Sequence, residues 1–352
     1  MPRLEPGSRL AIVSPSNGLA VSFPGVYEQG LDVLRSLDLE PVEFPTARMS
    51  TEELYKSPQL RVKDLHDALE DSSISGIVAT IGGYESVRLL PLLDPALFRR
   101  HPKFMLGGSD ATTFLTFARR VGVPAFYGPS VMSGISQTPH LPDEFRSHLE
   151  SFLFSLWRTY QYAGFPRYSH GYTGWDKTGK GGVTSLINNE GFRVLHGSSI
   201  AAGHLWGGCI EVLEFLKGTK FWPQASFFDD AILFFETSEE KPPPERVGYM
   251  LRNYGVAGIL NRAAGLLLGR PKDYTSSDVT KLHELVRRIC IEEFHAEELV
   301  IIADVDIGHT DPKWIVPIGG EAELDPAEPS IRLTESPFYG VSEQPDGGSY
   351  EA

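Results

Sequence analysis

Cysteine is scarce: Cys209 and Cys290 are the only two in 352 residues, which excludes a disulfide framework. No Cys/His cluster has zinc-like spacing either. His283 and His295 flank Cys290 at uneven intervals and read as surface or helix-end residues, so no metal and no cofactor are expected. No apolar run approaches the ~20 residues of a membrane span. Residues 1–9 lack a basic stretch followed by an apolar one, so no signal peptide is expected. The expected setting is the cytoplasm. Positive charge is in deficit, with 32 Lys and Arg against 46 Asp and Glu and a formal net charge of −14. That balance excludes nucleic acid or an anionic membrane as a broad electrostatic partner, but not a small ligand held in a pocket. There is no internal repeat. What the chain has in quantity is turn material, 35 Gly and 26 Pro, alongside 41% hydrophobic residues. This fits a globular protein long enough for two domains of about 150 residues each.

The first third alternates two periods. Residues 9–14 form a short apolar run bounded by Pro15, Asn17 and Gly18 and read as a buried strand. Residues 26–37 carry a helical apolar face, 40–44 are strand-like, and 59–70 read as an amphipathic helix. A strand at 76–81 ends in Gly82-Gly83, a short helix begins at Ser86, and a strand at 104–106 follows. This succession predicts a parallel sheet with right-handed crossovers, whose sites lie at the carboxyl ends of its strands. After a helix at 144–157 the pattern breaks. Residues 160–191, rich in Gly, Tyr, Thr and Lys, read as a linker or site-covering loop. Within it, residues 179–182 lack both the glycine spacing and the Ser/Thr after lysine of a phosphate loop. Strands are expected again at 199–205, 231–235, 266–268, 299–303 and 314–318, with helices at 210–216, 244–253 and 277–292, giving a second α/β or α+β unit. The expected division is 1–158, 159–190 and 191–340, with a flexible tail at 341–352.

The stretch with most chemical content is Lys103-Phe-Met-Leu-Gly-Gly-Ser-Asp-Ala-Thr-Thr113. A strand runs into two glycines, a serine and an acidic residue, and a helical pattern begins at once. Ser109 stands at the apex, with Gly107 two residues before it and Ala111 two after. That is the steric pattern of a nucleophile elbow. It is equally the pattern of a glycine-rich turn with an N-capping Ser109 or Asp110.

A serine nucleophile needs a base, and the base an orienting carboxylate. Glu236 ends the apolar run Leu233-Phe-Phe-Glu236, and His309 follows Gly308 past the run Ile301-Ile-Ala303. Each has an ordinary reading as well, an edge carboxylate and a solvated loop histidine. An oxyanion hole is available from the backbone N–H of Asp110 and from the Gly82-Gly83 turn, in particular Gly83. Lys220, Arg270 and Lys313 are candidate positive groups.

The segments Thr80-Ile-Gly-Gly-Tyr-Glu-Ser86, Met105-Leu-Gly-Gly-Ser-Asp110, Gly218-Thr-Lys-Phe-Trp-Pro223, Leu233-Phe-Phe-Glu-Thr-Ser238, Gly265-Leu-Leu-Leu-Gly-Arg-Pro271 and Asp306-Ile-Gly-His-Thr-Asp-Pro312 resemble the LD-carboxypeptidase family of serine peptidases. Within that family they resemble the microcin C self-immunity branch, over residues 7–334. The resemblance implies a Rossmann-like parallel-sheet N-terminal domain and a smaller, swivelling, β-rich α/β C-terminal domain. It implies a catalytic Ser109, Glu236 and His309, oxyanion donors at Gly83 and Asp110, a homodimer, and neither metal nor cofactor. Cys209 departs from the asparagine of many relatives. Substrate contacts are implied for Glu85 and for Trp175, the latter as a base-stacking loop residue whose ordinary role is to anchor the loop.

The expected activity is a serine hydrolase acting on an amide bond of a small-molecule or peptide-like substrate. Aminoacyl-nucleotides are favoured because Gly82-Gly83-Tyr84-Glu85 looks more like the immunity branch. A murein tetrapeptide is the alternative, and a non-catalytic small-molecule binding protein is the alternative of another class.

Overall fold

The structure, a computed structural model, describes residues 3–175 and 180–338. Gly179 of the glycine-lysine stretch and the expected tail at 341–352 lie outside the described residues. Among the described residues sixteen strands follow in chain order: β1 Arg9–Val13, β2 Glu40–Glu43, β3 Gly76–Ala79, β4 Phe104–Gly107, β5 Ala125–Tyr127, β6 Tyr160–Tyr162, β7 Arg167–Tyr168, β8 Ile187–Asn188, β9 Arg193–His196, β10 Ala201–Cys209, β11 Ile232–Glu236, β12 Gly265–Gly269, β13 Val300–Val305, β14 Val316–Ile318, β15 Glu321–Asp325 and β16 Ser330–Leu333.

A six-stranded sheet has the order β14-β5-β4-β3-β1-β2. From β5 to β2 its pairings are parallel. Strands covered on both faces read as continuous apolar runs, which is why β1, β3 and β4 stand out in the sequence. Helices Pro24–Ser36 and Pro58–Glu70 begin with proline, whose missing N–H costs nothing in a first turn. The first buries Val26, Leu31, Val33 and Leu34.

An eight-stranded sheet has the order β6-β16-β15-β10-β11-β12-β13-β9. Its centre, β10 to β13, is parallel, and its flanks are antiparallel. The mixed α/β architecture with a parallel first sheet is the one expected. Among the described residues no helix is long and apolar enough to cross a membrane.

Two strands join sheets that chain order does not suggest. The strand expected at 314–318 forms as β14, but it pairs antiparallel with β5 in the first sheet. β6, at the start of the 159–190 segment, pairs with β16 in the second. The connection from β13 to β14 therefore runs from one sheet to the other, and it carries His309.

Arg270 ties this connection down. Its guanidinium donates to Asp306 Oδ1 at 2.7 Å and to the Asp304 carbonyl at 2.9 Å, and lies 4.1 Å from the Tyr168 ring centre. Asp306 also accepts from the Phe165 N–H at 2.9 Å. Both charged groups are buried. Arg270→Met leaves a buried carboxylate without its counter-ion, an expected loss of about 3–5 kcal/mol, measurable as a lower denaturant midpoint with an unchanged m-value.

Candidate active site

A cavity of about 420 Å³ opens where the carboxyl ends of β3 and β4 meet the loops after β11 and β13, and both Ser109 and His309 line it. Ser109 has φ +57°, a left-handed conformation that costs a serine about 1–3 kcal/mol and persists only where its surroundings impose it. The strand β4 ends at Gly107, the turn Ser109–Ala111 follows, and the helix Thr112–Arg120 begins directly. A Cβ on Gly107 would lie 2.8 Å from the Cβ of Ala111, so both positions must stay small, as the elbow reading requires.

The Gly82-Gly83 turn packs on Ser109. A Cβ on Gly82 would sit 2.9 Å from Ser109 Oγ and 3.2 Å from the Asp110 nitrogen. The buried Asp110 carboxylate holds the two turns together. Its Oδ2 accepts from Ser16 Oγ, from the Glu85 N–H at 3.0 Å and from the Ser86 N–H at 2.9 Å. Gly83 lines the same cavity.

Glu236 ends β11 fully buried. Its Oε2 lies 2.7 Å from His309 Nδ1. Gly308 makes this approach possible, because at φ +114° a Cβ there would fall 2.6 Å from Glu236 Oε2. The other oxygen, Oε1, accepts from the Tyr127 hydroxyl at 2.5 Å. Burial, then the Glu236 charge, pushes the Tyr127 pKa well above its ordinary value, so the hydroxyl stays protonated and donates. It also accepts the Ser109 N–H at 2.9 Å. Tyr127 thus joins the backbone of Ser109 to the carboxylate behind His309. Sequence reasoning passed over it. The available signal was a tyrosine ending a short apolar run, since a buried tyrosine hydroxyl needs a partner.

His309 Nε2 lies 2.9 Å from Glu239 Oε2. Burial alone would lower the histidine pKa, but the Glu236 charge and hydrogen bond, joined by Glu239, outweigh it and raise the value to about 10. Its hydrogen bond to His309 in turn holds Glu239 down to about 2. In this arrangement His309 is an imidazolium between two carboxylates, and Ser109 Oγ is not hydrogen-bonded to it. The turn bearing Glu239 is pinned by Glu211, whose Oε1 accepts from the Ser238 N–H at 3.0 Å and its hydroxyl at 2.7 Å.

Other sequence candidates separate here. Trp175 is on the cavity wall, stacked on Tyr172 with ring centres 5.2 Å apart and edge-on to Phe23 at 5.5 Å. Glu85 does not line the cavity, because its carboxylate is taken by Arg61 at 2.8 Å and by Arg88. Cys209 stands in register with Glu236, and its buried thiol faces Glu211 at 3.5 Å rather than the cavity. Lys313 lines the cavity, as does Lys272, which the sequence reading did not single out. Lys220 lies against the Phe221 ring instead. Among the described residues no group of three or more His, Cys, Asp or Glu side chains is placed to hold a metal ion.

Residues 10–128 match the LD-carboxypeptidase N-terminal domain and residues 202–324 the LD-carboxypeptidase C-terminal domain. The chain is 25% identical over 340 residues to the microcin C7 self-immunity protein MccF of Escherichia coli, covering 94% of each. It is 31% identical over 136 residues to the murein tetrapeptide carboxypeptidase of Pseudomonas aeruginosa, covering 37% of this chain and 42% of that one. Its fold is similar to a solved MccF-like protein from Streptococcus pneumoniae in complex with AMP, with a TM-score of 0.82 and 27% identity over 93% of this chain and 98% of that one.

Proposed function

This chain belongs to the LD-carboxypeptidase family of serine peptidases, and on that premise we propose that it cleaves an amide bond through Ser109, His309 and Glu236. The observation that carries the reading is the 2.7 Å contact between His309 Nδ1 and Glu236, facing the cavity that Ser109 enters in a strained turn. Ser109 Oγ attacks the carbonyl carbon while His309 Nε2 takes its proton. The C–N bond breaks, the same proton passes to the leaving nitrogen, and water then releases the acyl group from Ser109. The backbone N–H groups of Gly83 and Asp110 are assigned to the oxyanion, each worth about 3 kcal/mol in such sites. Asp110 adds a second service, since its carboxylate fixes the two turns that bear these donors.

The proposed substrates are aminoacyl-nucleotides. Supporting this, the cavity wall carries the stacked Trp175 and Tyr172, and the similar pneumococcal protein was solved with AMP. The test is incubation of purified protein with an aminoacyl-sulfamoyl adenosine and with a murein tetrapeptide, followed by mass spectrometry. Release of the amino acid from the nucleoside is the expected result. Release of D-alanine from the tetrapeptide alone would replace it with the murein activity. Labelling of Ser109 by an alkyl phosphonate tests the nucleophile independently of substrate.

For His309 to accept a proton, its Nε2 must leave Glu239. A carboxylate neighbour raises an imidazole pKa, so removing one lowers it and populates the free base at lower pH. Glu239→Gln is therefore expected to move the acid limb of kcat/KM to lower pH and to raise the rate at pH 7 by roughly tenfold. A pH–rate profile checks this. An unchanged acid limb would show that Glu239 is already displaced in the working enzyme.

A further inference from the structure

Lys313 follows His309 by four residues, and its side chain is 4% exposed on the wall of the cavity. Its Nζ donates to Ser133 Oγ at 3.1 Å and stands 3.2 Å from Asp311 Oδ1. Ser133 Oγ and the Tyr172 hydroxyl share a hydrogen bond of 2.8 Å, and that hydroxyl donates to Asp311 Oδ2. Lysine, serine, tyrosine and aspartate so close a ring.

Two features give this ring a direction. Asp311 is fully buried, with Oδ2 hydrogen-bonded to Tyr172 and Oδ1 in ion-pair contact with Lys313, and it is absent from the cavity lining, whereas Lys313 and Tyr172 line it. The cavity therefore meets the positive end of the pair. An ammonium has three protons; Ser133 Oγ accepts one, Asp311 Oδ1 stands in ion-pair contact, and among the described residues no other acceptor is hydrogen-bonded to Nζ. The other cavity lysine, Lys272, lies 5.9 Å from the centre of the Tyr172 ring. The counter-ion of Lys313, Asp311, stands outside the cavity lining.

Resting on the serine-hydrolase reading above and deepening it, we propose that Lys313 recognises an oxyanion on the substrate, a carboxylate or a phosphoryl group. A cavity of about 420 Å³ holds one small molecule, so this anion and the bond to be cut belong to the same ligand. The ring fixes the ammonium before the ligand arrives, and recognition then costs little side-chain ordering.

The experiment is calorimetric titration of Ser109→Ala protein, in which acylation cannot occur, with two matched pairs: a murein tetrapeptide against its C-terminal amide, and AMP against adenosine. Adding Lys313→Met is expected to weaken the member of one pair that carries the extra anionic group by about 10- to 100-fold, the effect of losing a charged hydrogen bond, and to leave the member lacking that group within about twofold. The pair that responds identifies the source of the anion. The proposal is overturned if both the free tetrapeptide and AMP bind Lys313→Met as tightly as its parent, or bind the parent no better than the counterparts lacking the C-terminal carboxylate or the phosphate. Asp311→Asn with Lys313→Met removes both charges together and gives the same comparison should the single change unfold the protein. Phosphonate labelling of Ser109 in otherwise unaltered and Lys313→Met protein reports on the hydrolase reading separately. Labelling with no anion preference removes the Lys313 role alone.

Discussion

Ser109→Ala is expected to lower kcat by about three or more orders of magnitude, with ligand affinity retained. A positioned serine and its base act as one unit, so losing either collapses the rate, and losing both costs little more. Adding His309→Gln to Ser109→Ala should accordingly change the residual rate by only a few fold. The comparison is made by single-turnover kinetics on protein whose thermal midpoint matches the parent. A Ser109→Ala rate within tenfold of the parent would remove Ser109 from the mechanism and revive a binding protein with an anion-accepting turn.

Glu236→Gln should cost about 10³–10⁴ in kcat, the scale seen when the carboxylate behind a catalytic histidine loses its charge. Glu236 accepts from two sides, the His309 ring at 2.7 Å and the Tyr127 hydroxyl at 2.5 Å. An amide can accept on one oxygen only, and its NH₂ opposes one of these donors. The His309 pKa should fall from about 10 in both Glu236→Gln and Glu239→Gln, since each removes an anion beside the ring. The rates should move in opposite directions: removing Glu239 frees Nε2, while removing Glu236 releases the ring from its orientation. NMR titration of the His309 ring alongside kcat separates the two. A Glu236→Gln enzyme within tenfold of the parent would show that Glu236 does not orient the base.

The legible parts of this site lay where one local signal sufficed. Glu236 ends one buried apolar strand, His309 stands just beyond another, and Ser109 is framed by small residues two positions either side. Each is a short-range pattern that a parallel sheet imposes on its own sequence. What could not be read depended on partners distant along the chain. Glu85 turns from the cavity because Arg61, a helix residue far upstream, claims its carboxylate. Glu239 stands in the acidic pair Glu239-Glu240, and only the path of the β13–β14 connection brings a histidine to it. Residues 314–318 were readable as a strand, but a short apolar run does not state which sheet edge it will join. Tyr127 was hidden for a related reason, since within Ala125–Tyr127 its ring reads simply as core.

The exchange of β6 and β14 between the sheets bears on how the polypeptide can be divided by an engineer. A fragment ending near residue 158 would lack β14 and expose the edge of β5, leaving unpaired backbone groups that invite association. The remaining fragment would keep β6 and so retain its own sheet edge. Co-expressed halves could regain activity only by threading β14 onto β5, which makes complementation a readout of whether the histidine-bearing connection has seated. Permuted forms with new termini inside that connection should lose the pairing of base and nucleophile before they lose either sheet.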